Sequence, residues 1–295
     1  MSAVDLPSGL PARIPTPDPA DPRLERLSLN QRTTAEWSLA EAIAGSRRAG
    51  LRSIGVWREP LAQVGLPEAK RMLDDAGLRV SSLCRGGFFT DPATFETAIA
   101  ENRTAIDEAA FLGAPTLVLV AGGLPPDDRD IDAARARVVE AIGLLSPHAR
   151  DSGVTLGIEP MHPIFAADRG VVSTLEQALD IAEQFDPVDV GVIVDTFHLW
   201  WEPTIAQQIA RAGQRIVSYQ ISDWITPFPA DALLSRGMMG DGHIDFEGFT
   251  RAVAATGYAG DVEVEIFNAE LWASSGDEVV QTMARRYVEL VEPHL

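Results

Sequence analysis

Four polar side chains recur at equivalent places in the second half of the chain: Glu159 in LGIEP, Asp195 in VIVDTFH, Gln220 in SYQISDW and Glu265 in VEVEIF. Each ends a short apolar run. In an extended strand successive side chains point to opposite faces, so Leu156 and Ile158 are expected on one face and Thr155, Gly157 and Glu159 on the other. Val192 and Val194 leave Asp195 on the opposite face. Val217, Tyr219 and Ile221 do the same for Gln220, and Val262, Val264 and Ile266 for Glu265. Glu263 shares the phase of Glu265 one layer deeper, either as a ligand or as the partner of one.

Three carboxylates in one cavity repel each other and rise in pKa. A divalent cation supplies the missing opposite charge. Oxygen-only donors, with Gln220 offering its neutral carbonyl oxygen, favour Mn²⁺ or Mg²⁺ over Zn²⁺, which prefers His or Cys. Taken singly, each residue could instead cap a helix or join an ion pair; four on consecutive strands in matching phase favour the metal.

The elements that would position them alternate along the chain. Strands are expected at Leu24–Leu29, Leu51–Val56, Leu78–Leu83, Thr116–Val120, Val154–Ile158, Val190–Val194, Ile216–Ile221 and Val262–Ile266. Between them apolar residues recur every three or four positions, as in Ile131, Ala134, Val138, Ile142 and Leu145, or Val280, Met283, Tyr287 and Val291. Ser173-Thr174 marks a helix start, and Gly77, Gly113, Gly153 and Gly257 mark ends. Eight such units over residues 23–295 predict a single-domain (β/α)₈ TIM barrel. An open doubly wound sheet is the competitor, but SLNQRTTAEW after the first strand lacks its glycine-rich phosphate loop. Residues 1–22 hold six of the 20 prolines and no periodic pattern, which predicts a flexible tail or an arm lying on a neighbour.

The 295 residues carry 43 acidic and 24 basic side chains, a net charge of −19. That balance opposes nucleic-acid binding, which rests on Lys and Arg replacing counterions. No apolar run is long enough to cross a bilayer, and the N-terminus has no secretory pattern. A single cysteine, Cys84, allows no internal disulfide and fits a cytoplasmic protein.

The segments IEP, VDTFHLWW, MGDGHIDF and EVEIF, in that order and spacing, make the run from about Leu24 to Glu292 resemble the xylose isomerase-like TIM barrels, specifically the sugar phosphate isomerase/epimerase family, which is related to apurinic endonuclease family 2. The resemblance implies one divalent metal held by Glu, Asp, His and Glu from strands five to eight. Glu159, Asp195 and Glu265 match three of these, while Gln220 stands where the usual member has His. His198 resembles a substrate-contacting histidine of the family, with a loop hydrogen bond as the plainer alternative, and His162 is a candidate of the same kind. Arg236 matches an arginine that the family sets against substrate oxygens, a loop salt bridge being the alternative. Asp223, three residues after Gln220, is placed to orient a ligand or bind a hydroxyl. Trp57, Trp200, Trp201, Trp224 and Trp272 fall near strand ends and suit either a sugar face or wall packing. His243 receives no role.

The expected activity is isomerisation or epimerisation of a ketose or related small sugar through an enediolate, with Glu159 and Glu265 as base and acid. Elimination from a 3-keto-glycoside or keto-polyol shares the first half-reaction. The Gln220 departure leaves a non-catalytic sugar-binding barrel or assembly subunit as a third reading. An endonuclease would need a histidine-rich multi-metal site, and the chain has five histidines. The GMMGDG loop could offer N–H groups to a phosphate, but Asp241 lies within it, and an unphosphorylated sugar is expected. The resemblance also implies a homo-oligomer.

Overall fold

Short runs of aliphatic and β-branched residues, each followed by an amphipathic segment, set the architecture of the chain, of which the computed structural model describes residues 14–295. The strands are β1 (Leu27–Asn30), β2 (Ser53–Trp57), β3 (Arg79–Gly87), β4 (Thr116–Val120), β5 (Thr155–Glu159), β6 (Val190–Asp195), β7 (Ile216–Ile221) and β8 (Val262–Val264). Each pairs in parallel with its neighbours, and β8 pairs with β1, so the sheet closes into a (β/α)₈ barrel with no free edge.

The principal outer helices are Leu39–Arg48, Leu66–Ala76, Phe95–Leu112, Ile131–Ser152, Leu175–Ala182, Ile205–Ala212, Phe246–Ala254 and Gly276–Leu290. Their apolar stripes face the barrel: Ala134, Val138, Ile142 and Leu145 are buried, as are Val280, Met283, Tyr287 and Val291. Thr174 caps its helix by accepting from the Gln177 N–H. Gly113 and Gly153 end theirs in the left-handed region, at φ 78° and 70°. Among the described residues no helix is long and apolar enough to cross a membrane.

Two apolar layers result. The larger lies between strands and helices and includes Leu29, Ile158, Val192, Val194, Val264 and Ile266. The smaller fills the barrel axis with Trp57, Cys84, Val118 and Ile193, backed by Val217 and Phe267. Val217 corrects the expected strand phase. The β6–β7 register slips between Val192 and Ile193, and the irregularity brings Val217 inward against Gly157 and Gly191, whose missing side chains leave room for it. Tyr219 and Ile221 resume the outward phase, so Gln220 still faces the axis.

The N-terminal tail expected for residues 1–22 lies largely outside the described residues, up to residue 13. From Ile14 the chain packs against the barrel, and the backbone of Pro19 lies over Gly50.

Candidate active site

The C-terminal ends of β5 to β8 deliver Glu159, Asp195, Gln220 and Glu265 to one end of the barrel, all of them buried. Asp195 and Gln220 are paired across β6 and β7, as are Gln220 and Glu263 across β7 and β8. Glu159 and Glu265 line a cavity of about 180 Å³ together with Trp57, Cys84, His198, Arg236 and Phe267.

Arg236 stands among these acids. Its Nη1 donates to Asp195 Oδ2 at 2.7 Å, to Ser222 Oγ at 3.2 Å and to the Glu265 carbonyl at 3.3 Å. Its Nη2 lies 3.3 Å from Glu265 Oε2. The rings of Phe197 and Phe267 flank the guanidinium. Arg236 therefore does form an ion pair, and it forms it inside the site. The other Asp195 oxygen accepts from the Phe197 N–H at the start of the helical turn Thr196–Leu199.

One guanidinium does not balance these acids. Burial, then Glu265 and Asp195, push the Glu159 carboxyl well above the usual range. Burial raises Glu265 to about 7 although Arg236 opposes it. Burial also works against the Arg236 charge, and the carboxylates of Asp195, Glu265 and Glu159 outweigh it, so its pKa rises.

Glu263 is a supporting partner. It accepts from Asn30 Nδ2 at 2.6 Å, Ser81 Oγ at 2.6 Å and Ser82 Oγ at 2.9 Å, and Asn30 also donates to Glu265 Oε1 at 3.1 Å. Its carboxylate lies over Gly55, where a Cβ would collide with it.

The donor set fits a cation. Ligand atoms of Glu159, Asp195 and His198 lie within 4.8 Å of one another, a grouping that brings in His198 and leaves out Glu265. Gln220 is fully buried, yet neither its Oε1 nor its Nε2 has a hydrogen-bond partner. An unpartnered buried amide costs about 1–3 kcal/mol, and a ligand for its oxygen would offset that. Excess carboxylate beside an orphaned carbonyl oxygen suits a divalent ion.

His198 has a narrower role than its proximity to the acids suggests. The backbone N–H of His162 donates to His198 Nδ1 at 3.1 Å. A neutral imidazole has one lone pair, and burial, with Arg236 and His162, holds His198 neutral. The neutral ring accepts at one nitrogen only, and the Arg236 guanidinium, which can only donate, faces its Nε2. That nitrogen lies 3.9 Å from Glu159 Oε1 and 3.0 Å from Arg236 Nη2. The ring thus meets a donor at each nitrogen, the His162 N–H at Nδ1 and Arg236 at Nε2.

Asp223 is a correction. Its carboxylate accepts from the backbone N–H groups of Trp224, Gly240, Gly242 and Ile244, so it organises the loop after β7 and has no capacity left for a substrate hydroxyl. The same bonds occupy two amides of the GMMGDG loop that might have cradled a phosphate. His162 contributes its backbone; its half-buried ring stacks near Trp201 and Trp224, outside the cavity lining. Of the tryptophans singled out, only Trp57 lines the cavity. Trp200 and Trp224 pack together in the wall, and the Trp201 and Trp272 indoles donate to backbone carbonyls. His243 contacts Thr226 in an exposed loop.

Sequence reasoning passed over Arg32, Arg85 and Arg169, which also line the cavity. Arg32 and Arg169 lie in the loops just beyond β1 and β5, so a search for cations following strand ends would have found them.

The xylose isomerase-like TIM barrel family model matches residues 43–287. Protein SMc04130 from Sinorhizobium meliloti 1021 is a solved structure 49% identical in sequence, with a TM-score of 0.88 over 91% of this chain and 99% of that one. The inosose isomerase of Halalkalibacterium halodurans is 25% identical over 281 residues, 91% of this chain and 97% of that protein. The L-ribulose 3-epimerase of Methylomonas sp. strain DH-1 is 25% identical over 250 residues, 81% of this chain and 82% of that protein. The match to the inosose isomerase of Bacillus subtilis spans about half of that protein's length, 55%. The extent of the family match, the closed barrel and the in-phase acids agree: this chain belongs to the xylose isomerase-like TIM barrel family.

Proposed function

We propose that the chain is a divalent-metal-dependent isomerase or epimerase of a ketose or related small sugar. The observation that carries this is the convergence of Glu159, Asp195 and Glu265 with the unpartnered Gln220 amide at one end of the barrel. Relatives named as inosose isomerase and L-ribulose 3-epimerase support it. Glu159, Asp195, Gln220 and Glu265 would hold the ion, and their oxygens favour Mn²⁺ or Mg²⁺ over Zn²⁺, although a neighbouring structure at 23% identity is described as binding a zinc atom. When bound, a divalent cation supplies Lewis-acid stabilisation for the negative charge that develops on a carbonyl oxygen as the adjacent carbon loses a proton.

The chain's own groups do the rest. Glu159 and Glu265 are the base and acid, one removing the proton from the carbon beside the carbonyl and the other returning a proton. Arg236, with the His198 Nε2 beside it at 3.0 Å in the cavity lining, would donate to the developing oxyanion. Trp57 and Phe267 exclude water from the walls. A protein with one buried cysteine suits the cytoplasm.

The test is NMR in D₂O of purified protein with Mn²⁺ or Mg²⁺ and a panel of ketoses and keto-polyols. Deuterium at the carbon beside the carbonyl, in a product of otherwise unchanged mass, is expected. A smaller or unsaturated product would move the assignment to elimination, and no exchange with any substrate would contradict it.

A further inference from the structure

Around the mouth of the cavity the charge reverses. Arg32, Arg85 and Arg169 come from the loop after β1, from β3 and from the loop after β5, and all three line the same space as Glu159 and Glu265. Their side chains are about a third exposed (29%, 30% and 36%), whereas those of Glu159, Asp195, Glu265 and Arg236 are 6% or less. The site therefore has an acidic floor and a cationic rim, in a chain whose net charge is −19.

The rim is poorly neutralised from within. Arg32 and Arg85 share one carboxylate, Glu59, at 3.3 Å and 3.9 Å, and it is half exposed. Among the described residues Arg169 has only the solvent-facing Asp168, at 3.6 Å. Arg32 Nε is buried with no hydrogen-bond partner. Aromatic rings hold the planar groups in place: Arg32 lies 4.3 Å from the Trp57 ring centre and Arg85 lies 4.4 Å from that of Phe88. Burial lowers the Arg85 pKa, Glu59 opposes the shift, and Arg169 and Arg32 lower it further, so Arg85 is repelled by both of the other rim cations. An anion between them would remove that repulsion and supply the missing acceptor.

We propose that the substrate carries a carboxylate or phosphate group, bound by Arg32, Arg85 and Arg169 at the mouth, while its keto-hydroxyl end meets the carboxylates at the floor. The inference rests on the isomerase or epimerase reading of the floor and, in its phosphate form, replaces the expectation of an unphosphorylated sugar. The loop after β7 does not compete for the anion with Gly240 and Gly242, whose N–H groups serve Asp223.

Deuterium exchange and steady-state turnover are measured with three matched compounds: a ketose, its terminal phosphate ester and the corresponding keto acid. One anionic compound is expected to exceed the neutral ketose in kcat/KM by about tenfold or more, as one charge-assisted hydrogen bond supplies; the better arm identifies phosphate or carboxylate. Arg32→Gln and Arg85→Gln should lower that ratio about tenfold, chiefly through KM. A neutral ketose used as well as both anions, or a ratio that both variants leave unchanged, overturns the proposal. Calorimetric titration of inorganic phosphate and of glycerate into wild type and the double variant reads the anion site without turnover. Saturable binding that the double variant weakens about tenfold supports the proposal even if no compound exchanges deuterium, in which case only the isomerase reading fails. Binding of neither anion to wild type overturns it.

Discussion

The guanidinium of Arg236 donates to Asp195 Oδ2 at 2.7 Å across 41 residues of chain, and both side chains are sealed from water. Asp223 makes this possible: its carboxylate gathers the amides of Trp224, Gly240, Gly242 and Ile244, and the short antiparallel pairing of Asp223–Trp224 with Arg236–Gly237 turns Arg236 back over the barrel. A loop acid thus sets the position of a site cation without touching it.

Removing that cation should leave several buried carboxylates unopposed. Arg236→Met is expected to destabilise the chelator-treated protein by about 3–5 kcal/mol, read from urea unfolding. Added Mg²⁺ or Mn²⁺ should recover part of the loss. A loss below about 1 kcal/mol would show that the pair carries no such burden.

The Gln220 side-chain amide has no hydrogen-bond partner among the described residues, so Gln220→Leu should leave stability in chelator unchanged or improved. The same substitution should weaken Mn²⁺ binding about tenfold or more, measured by calorimetry. Gln220→His should instead tighten Zn²⁺. Unaltered metal affinity in Gln220→Leu would remove Gln220 from the ligand set.

Gly55→Ala drives a methyl into the Glu263 carboxylate, which Asn30 links to Glu265. Overpacking of this kind costs about 1–3 kcal/mol, and turnover should fall with it because Glu265 loses its neighbour's support. A variant with wild-type melting and wild-type turnover would show that this stack yields freely.

Burial holds the His162 imidazole down at about 4. The unfolded chain takes up its proton near 6.5, so below that pH the unfolded state binds more protons and folding stability is lost as pH falls toward 4. The buried glutamates, raised in the folded state, titrate with the opposite sign. The His162 contribution is therefore the difference between wild type and His162→Gln, with the wild type losing more stability between about pH 6.5 and 4.5. Parallel urea midpoints for the two proteins would contradict it.

The acids at the ends of β5, β6 and β8 were legible because phase along a strand is local: two or three outward aliphatic residues orient the next side chain. Val217 was not, because its inward turn comes from a register slip against β6 that its own neighbours do not encode. Asp223 was visible as an acid three residues after Gln220, but three of its four partners are backbone amides 17 to 21 residues away, with no side-chain signature. Arg236 was found by resemblance alone. The rim arginines were missed because each is unremarkable in its own segment, and only barrel closure brings β1, β3 and β5 around one opening.

The central claim is that Glu159 and Glu265 move a proton at the carbon beside a substrate carbonyl. Deuterium wash-in at that carbon, followed by NMR for metal-loaded wild type, Glu159→Gln and Glu265→Gln, tests it most directly. Each variant should keep its fold by circular dichroism and lose exchange by about 10²–10⁴-fold. Full exchange in either folded variant would contradict the role assigned to that residue, and full exchange in both would contradict the claim.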